Sequence, residues 1–186
     1  TNKDHIYRIL SDKPGLNHAY ATSPFPLADA LRKEDPVVEE STGLTMGVGG
    51  DAVYNNNIST ELRGYFADPA FFKVFSFRLG KGDPVTALDA PNSIVLSAAA
   101  ARRLFRDEDP IGKTVAFTDR GLSIMGGNES STPVAWGRYT ITGVLEDVNY
   151  RSHLHFDALF STSSLRLLIA DKKRGDSKND WTNFFQ

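Results

Sequence analysis

His153-x-His155 with Asp157 two residues on is the arrangement in this chain closest to a metal-binding row, because alternate residues of an extended segment project to one side. Asp157 would extend that row, but a third strong ligand is not apparent, and a histidine at a strand start more often caps or packs. His5 and His18 are isolated in polar contexts. Gly112-Lys113-Thr114 resembles the end of a phosphate loop, but that motif needs glycine five positions before Gly112, where Asp107 stands. Asp107-Glu108-Asp109 lacks the alternating oxygen ligands and the glycine of a calcium loop, and reads as a solvated turn. No serine lies in a G-x-S-x-G elbow or has a placed base. The absence of cysteine excludes thiolate catalysis, disulfides and cysteine-based zinc sites. The sequons at Asn57-Ile58-Ser59 and Asn128-Glu129-Ser130 are short enough to arise by chance. No catalytic, cofactor-binding or metal-binding residue is assigned, and no cofactor is expected.

These side chains are set in an ordinary globular composition. The 186 residues are 40% hydrophobic and 24% charged, which excludes disorder and fibrous folds. A net charge of -2, with 21 Lys and Arg scattered along the chain, offers nothing to neutralise a nucleic-acid backbone. No apolar run approaches the roughly 18 residues of a membrane span. A start at Thr1 and an apolar stop at Phe184-Phe185-Gln186 read as a segment of a longer protein.

The pattern predicts a helix from Pro24 to Lys33 capped by Ser23, then a strand from Val37 to Val48. Gly47 to Gly50 and Asn55 to Asn57 read as turns around a short Ala52–Tyr54 strand, with a further extended segment from Ile58 to Phe66. Asp68-Pro69 opens a two-turn helix that buries Phe71, Phe72 and Phe75. Five of the 12 phenylalanines lie between Phe66 and Phe77 and concentrate the core of the first half there. Gly80 to Pro84 break the pattern. Ser93–Leu96 is a short apolar strand and Ser97 caps a helix from Ala98 to Leu104. Lys113–Phe117 and Tyr139–Glu146 are strands joined by a long connection over 119–137. After a turn over 147–153, His155–Phe160 is a strand, Ser161 to Ala170 a helix, 171–176 a charged loop, and Trp181 reopens an apolar segment.

One ordered series carries a specific signal. It runs from Ala67-Asp68-Pro69-Ala70-Phe71-Phe72-Lys73-Val74-Phe75-Ser76-Phe77, with Gly80-x-Gly82-Asp83-Pro84, to Ser93-Ile94-Val95-Leu96-Ser97 through Leu104-Phe105. Asp109-Pro110-Ile111-Gly112-Lys113-Thr114 follows, then Tyr139 through Val148 and Ser152 through Asp157. Over about Ser23 to Ser161 this resembles the MacB-like periplasmic core domain of FtsX-related ABC transporter permeases.

The resemblance implies an α+β fold, with a mixed α/β membrane-proximal subdomain and an inserted strand-rich subdomain. The boundaries would be 1–85 for the first part of the membrane-proximal (porter-like) subdomain, 86–162 for the inserted (sabre-like) part, and 163–186 for a truncated return. It implies a periplasmic loop of a cytoplasmic-membrane permease that couples ATP hydrolysis to export or mechanical work, and that is not itself an enzyme. The implied partners are a cognate cytoplasmic ATPase subunit, a second permease copy forming a dimer, and a periplasmic partner protein, without nucleic acid. Two features depart from the family pattern: the connection over 119–137 is longer than a short hairpin, and the chain ends just after Trp181, where a further strand is expected. The alternative from another class is an extracytoplasmic domain binding or sensing a small molecule in a Phe-lined cleft. A hydrolase using His153, His155 and Asp157 is the third.

Overall fold

Asn55, Asn56 and Asn57 reverse the chain between two ten-residue strands, β1 (Thr45–Tyr54) and β2 (Ile58–Ala67). Asn55 and Asn56 adopt φ of 49° and 60°, the left-handed backbone that asparagine tolerates best after glycine. The computed structural model describes residues 5–12, 20–122, 132–148 and 152–170. Within them α1 (Leu27–Glu34) precedes the β1–β2 hairpin. After it come α2 (Ala70–Val74), β3 (Leu79–Gly82), β4 (Ser93–Leu96), α3 (Ala98–Phe105), β5 (Thr114–Asp119), β6 (Val134–Leu145), β7 (Ala158–Ser161) and α4 (Thr162–Ala170).

The strands form one mixed sheet in the order β3-β6-β4-β7-β2-β1-β5, and β5 pairs in turn with β6. β6 makes this closure possible by its length. Its first half pairs antiparallel with β5, from Val134 opposite Asp119 to Thr140 opposite Thr114, and its second half carries β4 on one edge and β3 on the other. Strands β6, β4, β7, β2, β1 and β5 therefore close into a ring, with β3 outside it as an added edge strand. Strands on both sides of residue 85 share this sheet.

Alternation along each strand sorts side chains between the inside of the ring and its outer face. Leu62, Phe66, Ile94, Leu96, Phe117, Tyr139, Ile141 and Phe160 point inward and belong to one cluster. Tyr65, Ala67, Val95 and Leu159, their immediate neighbours in sequence, point outward into a second cluster with Phe71, Phe77, Leu88 and Leu145. α3 contacts β1, β2, β4 and β6, and adds Ala100, Ala101, Leu104 and Phe105 to the inner cluster. α4 adds Leu165 to it and lies on β2 and β7. Because β4 and β7 run antiparallel, the helices that directly follow them stand at opposite ends of the ring.

Several expected boundaries move, each for a local reason. The first helix begins at Leu27 behind Pro26 with no side-chain cap, because Phe25 precedes a proline and is biased away from helical backbone. The strand expected from Val37 starts only at Thr45, and the segment before it is irregular. Gly49 and Gly50 lie inside β1 instead of turning: a Cβ on Gly49 would stand 1.2 Å from the Leu122 carbonyl oxygen, and one on Gly50 2.0 Å from that of Thr118. Glycine is there for close approach of neighbouring backbone, so one continuous β1 replaces the short Ala52–Tyr54 strand. Gly80 and Gly82 likewise sit in β3. β6 starts at Val134 and takes in Trp136 and Gly137, which shortens the expected 119–137 connection from its far end. Ile124, Met125, the charged loop 171–176 and Trp181 lie outside the described residues.

β4 and α3 form as expected, whereas α2 is a five-residue helix that fully buries only Phe71 of the three expected rings, with Phe72 and Phe75 half-buried. Ser97 caps α3, its hydroxyl oxygen accepting from the Ala100 N–H at 3.1 Å. Asp68 accepts from the Ala70 N–H at 2.9 Å and from the Thr42 hydroxyl at 3.0 Å. Its burial raises the carboxyl pKa, against the lowering effect of those bonds and of Arg32.

Candidate functional site

Leu154 and Phe156 pack against the outer cluster while His153 and His155, which alternate with them, face solvent, so the predicted alternation holds although the strand itself begins only at Ala158. Asp157 is held elsewhere. Its Oδ1 accepts from the Arg103 guanidinium at 2.6 Å and its Oδ2 from the Arg63 backbone N–H at 3.2 Å. The described residues contain no group of three side chains able to hold a metal ion.

The acidic run is likewise occupied by cations. Glu108 pairs with Lys113 and accepts from the Tyr54 hydroxyl at 3.1 Å, and these two bonds hold its carboxyl below the ordinary range. Lys113 lies 5.3 Å above the Tyr54 ring centroid and 5.6 Å above that of Phe105. The lysine singled out beside a failed phosphate motif thus ties the β5 entrance to the end of α3. Asp109 accepts from Lys81 on β3 at 3.0 Å, which lowers its pKa.

These pairs extend into a belt around the ring. Arg102 meets Asp147 at 2.7 Å, beyond the end of β6. Arg103 reaches Asp157, Thr60 and the Glu61 carbonyl. Arg63 meets Glu61 at 2.8 Å, and Arg120 meets Asp51 at 3.3 Å and Glu61 at 3.9 Å. Exposed pairs of this kind add little stability, so the belt's effect is to fix the relative positions of α3, β1, β2 and β5.

The phenylalanines of 66–77 divide between the two clusters. Phe66 points into the ring, 5.5 Å from Trp136 and 5.9 Å from Phe160. Phe71 points the other way, 5.4 Å from Phe77 and 6.1 Å from Phe156. Both are fully or almost fully buried, and ring-to-ring packing fills the space that a Phe-lined cleft would need. A shallow concavity of about 590 Å³ lies elsewhere, between the hairpin tip and the end of α3, lined by Asn57, Ile58, Phe105, Arg106, Asp107 and Glu108.

Sequence reasoning missed Asp119. At the end of β5 it is largely buried, takes bonds from the backbone N–H groups of Gly121, Gly49 and Arg120, and its Oδ1 has no hydrogen-bond partner among the described residues. Burial pushes its pKa up to about 6. Only the folding of β5 against Gly49 encloses it, so no sequence signal could mark it.

Fold and surface together define a class: a strand-ring body with helices at its ends, whose charged groups link one element to another. Comparison with known proteins narrows this class. Residues 1–182 match the family described as the MacB-like periplasmic core domain, and the chain belongs to that family. The family is the periplasmic domain of ABC transporter permeases, which is not a known enzyme class. No curated protein matches the chain. Among solved structures it is similar to a domain of a permease protein from Porphyromonas gingivalis (25% identity, TM-score 0.60, 78% of this chain and 55% of that one). The periplasmic region of MacB from Actinobacillus actinomycetemcomitans shares the fold (18% identity, TM-score 0.52, 82% and 59%). So does the extracellular domain of the noncanonic ABC-type transporter YknZ from Gram-positive bacteria (14% identity, TM-score 0.52, 87% and 77%). The chain spans a little over half the length of the first two. The α+β class and the resemblance read from the ordered motifs are therefore shown. No described helix is long and apolar enough to cross a membrane.

Proposed function

We propose that this domain is a stiff extracytoplasmic body of a MacB/FtsX-type permease, passing movement driven by cytoplasmic ATP hydrolysis to a substrate or partner outside the membrane. The observation that carries the reading is the closed ring with α3 and α4 at its opposite ends. A ring lacks the free edges along which an open sheet shears, and its densely packed interior transmits displacement instead of absorbing it. The partners in this reading are the cognate ATPase subunit, a second permease copy and a periplasmic protein. No catalytic, cofactor or metal residue is assigned. In this reading 1–85 is the first part of the membrane-proximal subdomain, 86–162 the inserted strand-rich subdomain and 163–186 the return, with strands from the first two joined in one sheet.

The test is a crosslink between the domains of two copies in the intact permease. Transport should stop when the crosslink forms and resume when it is cleaved. Full transport with the two domains held together would overturn the reading.

A further inference from the structure

α1 differs from the other helices of comparable length in how it is held. None of its eight residues is buried, and no side chain caps its N-terminus. α3, also of eight residues, buries four of them and is capped by Ser97. α4 buries Ser164 and Leu165 and continues directly from β7, all four of whose residues are buried. α4 is therefore fixed to the ring, and α1 is laid against it.

One residue of α4 makes two of the contacts that hold α1. Arg166 Nη2 donates to Asp29 Oδ2 at 3.2 Å, and the same guanidinium stands 5.8 Å above the ring of Phe25, which leads into α1 and packs on the inner cluster. The Ser41 hydroxyl adds a bond to the Ala28 carbonyl. Asp29 is shared, since its Oδ1 accepts from Arg32 one turn along at 2.7 Å. Loss of Arg166 thus leaves Asp29 paired with Arg32.

A helix of eight residues is too short to persist in water without tertiary support, the threshold being roughly 12–15 residues. Undocking and unwinding of α1 are therefore one event. Eight residues span about 12 Å as a helix and about 26 Å when extended, so release lengthens this connection by roughly 14 Å.

We propose that α1 is a releasable strap. Arg166 clasps it to α4, and when the clasp opens α1 unwinds and lengthens the N-terminal connection while the ring stays folded. Its mechanical use rests on the lever reading above, because slack in this connection would uncouple the body from whatever pulls on it. The strap itself does not depend on that reading and is tested on this chain alone.

The test is amide hydrogen exchange on the 186-residue chain, comparing peptides over 24–34 with peptides over β2 and β4. In the unsubstituted chain 24–34 should exchange by local opening, well ahead of the strands. Arg166→Ala should speed exchange in 24–34 roughly tenfold, the combined loss of an exposed ion pair and a cation–π contact, and leave β2 and β4 unchanged. Arg166→Lys keeps a cation over Phe25 and beside Asp29 and should restore a substantial part of the protection. The proposal is overturned if 24–34 is as protected as the strands, if Arg166→Ala leaves it unchanged or accelerates all peptides equally, or if lysine rescues nothing. A rigid α1 would leave the lever reading intact, and a failed crosslink test would leave the strap intact.

Discussion

Arg103 of α3 and Asp157, just ahead of β7, meet at 2.6 Å, and the second carboxylate oxygen of Asp157 accepts from the Arg63 N–H at 3.2 Å. One aspartate thereby joins a helix and two parallel strands. Asp157→Ala removes both bonds and should lower unfolding free energy by about 1–2 kcal/mol, discounted because both side chains are partly exposed. Asp157→Asn, which can still accept from the backbone, should recover part of this. Urea unfolding of the three chains gives the comparison, and equal midpoints for wild type and alanine would refute the role.

Zinc should not raise the melting temperature. The histidines at 153 and 155 face solvent while Asp157 is committed to Arg103, so the row they would share is not assembled. A thermal melt with and without excess zinc checks this, and a rise of several degrees would restore the metal reading.

Gly49→Ala should be among the most damaging single-methyl additions in the chain. Its Cβ would meet the Leu122 carbonyl carbon at 2.1 Å as well as the oxygen at 1.2 Å, and both are backbone atoms without rotamers to move aside. The Gly49 carbonyl also accepts from the Arg120 and Leu122 N–H groups. A cost of about 2–4 kcal/mol is expected, on the scale of overpacking in a dense interior. Gly43→Ala, with nothing within 4 Å of its Cβ, is the control and should change the unfolding midpoint little.

Asp119 should make stability depend on pH in an unusual sense. Burial raises its folded pKa to about 6 from the ordinary 3.8, so the folded state binds the proton more tightly than the unfolded one. Its contribution is fully present below pH 3.8 and is lost as pH rises through 6, a difference of about 2 kcal/mol after allowance for partial exposure. Glu108, Asp109 and Asp147, whose pKa values are lowered by Lys113, Lys81 and Arg102 respectively, act in the opposite direction, below their ordinary values. Asp68, whose pKa burial also raises, acts in the same direction as Asp119, so the comparison with Asp119→Asn is what assigns the slope between pH 4 and 6 to Asp119. Melting temperatures should rise as pH falls through that window, and Asp119→Asn should flatten the rise. An unchanged slope in the variant would show that another group titrates.

Phe71→Ala and Phe72→Ala should separate two neighbouring rings. Phe71 is fully buried among Phe72, Phe75, Phe77 and Phe156, and its loss should cost about 3–5 kcal/mol. Phe72 is only partly buried, and its removal should cost about half as much or less. Denaturant midpoints of the two variants give the ratio, and equal costs would contradict the packing described.

The local features were legible because each follows from a few adjacent residues. Asn55 to Asn57 turn because asparagine accepts left-handed backbone, and Ser97 caps because a hydroxyl three residues before an unpaired N–H can reach it. The outward histidines of 153–155 follow from alternation alone. The ordered motifs from Ala67 to Asp157 carried the family, since a series of weak signals in fixed order is specific where each alone is not.

What the tertiary structure decided is which segments meet. Alternation tells that Phe66 and Phe71 have apolar surroundings, and only strand pairing sends one into the ring and the other outside it. Gly49 and Gly50 read as turn residues until β5 and Leu122 are laid against them. Asp157 has the chemistry of a metal ligand, and its position beside Arg103 makes it an ion-pair partner instead. Residue type limits what a side chain can do, and the contacts made by segments far apart in the chain select which of those options is realised.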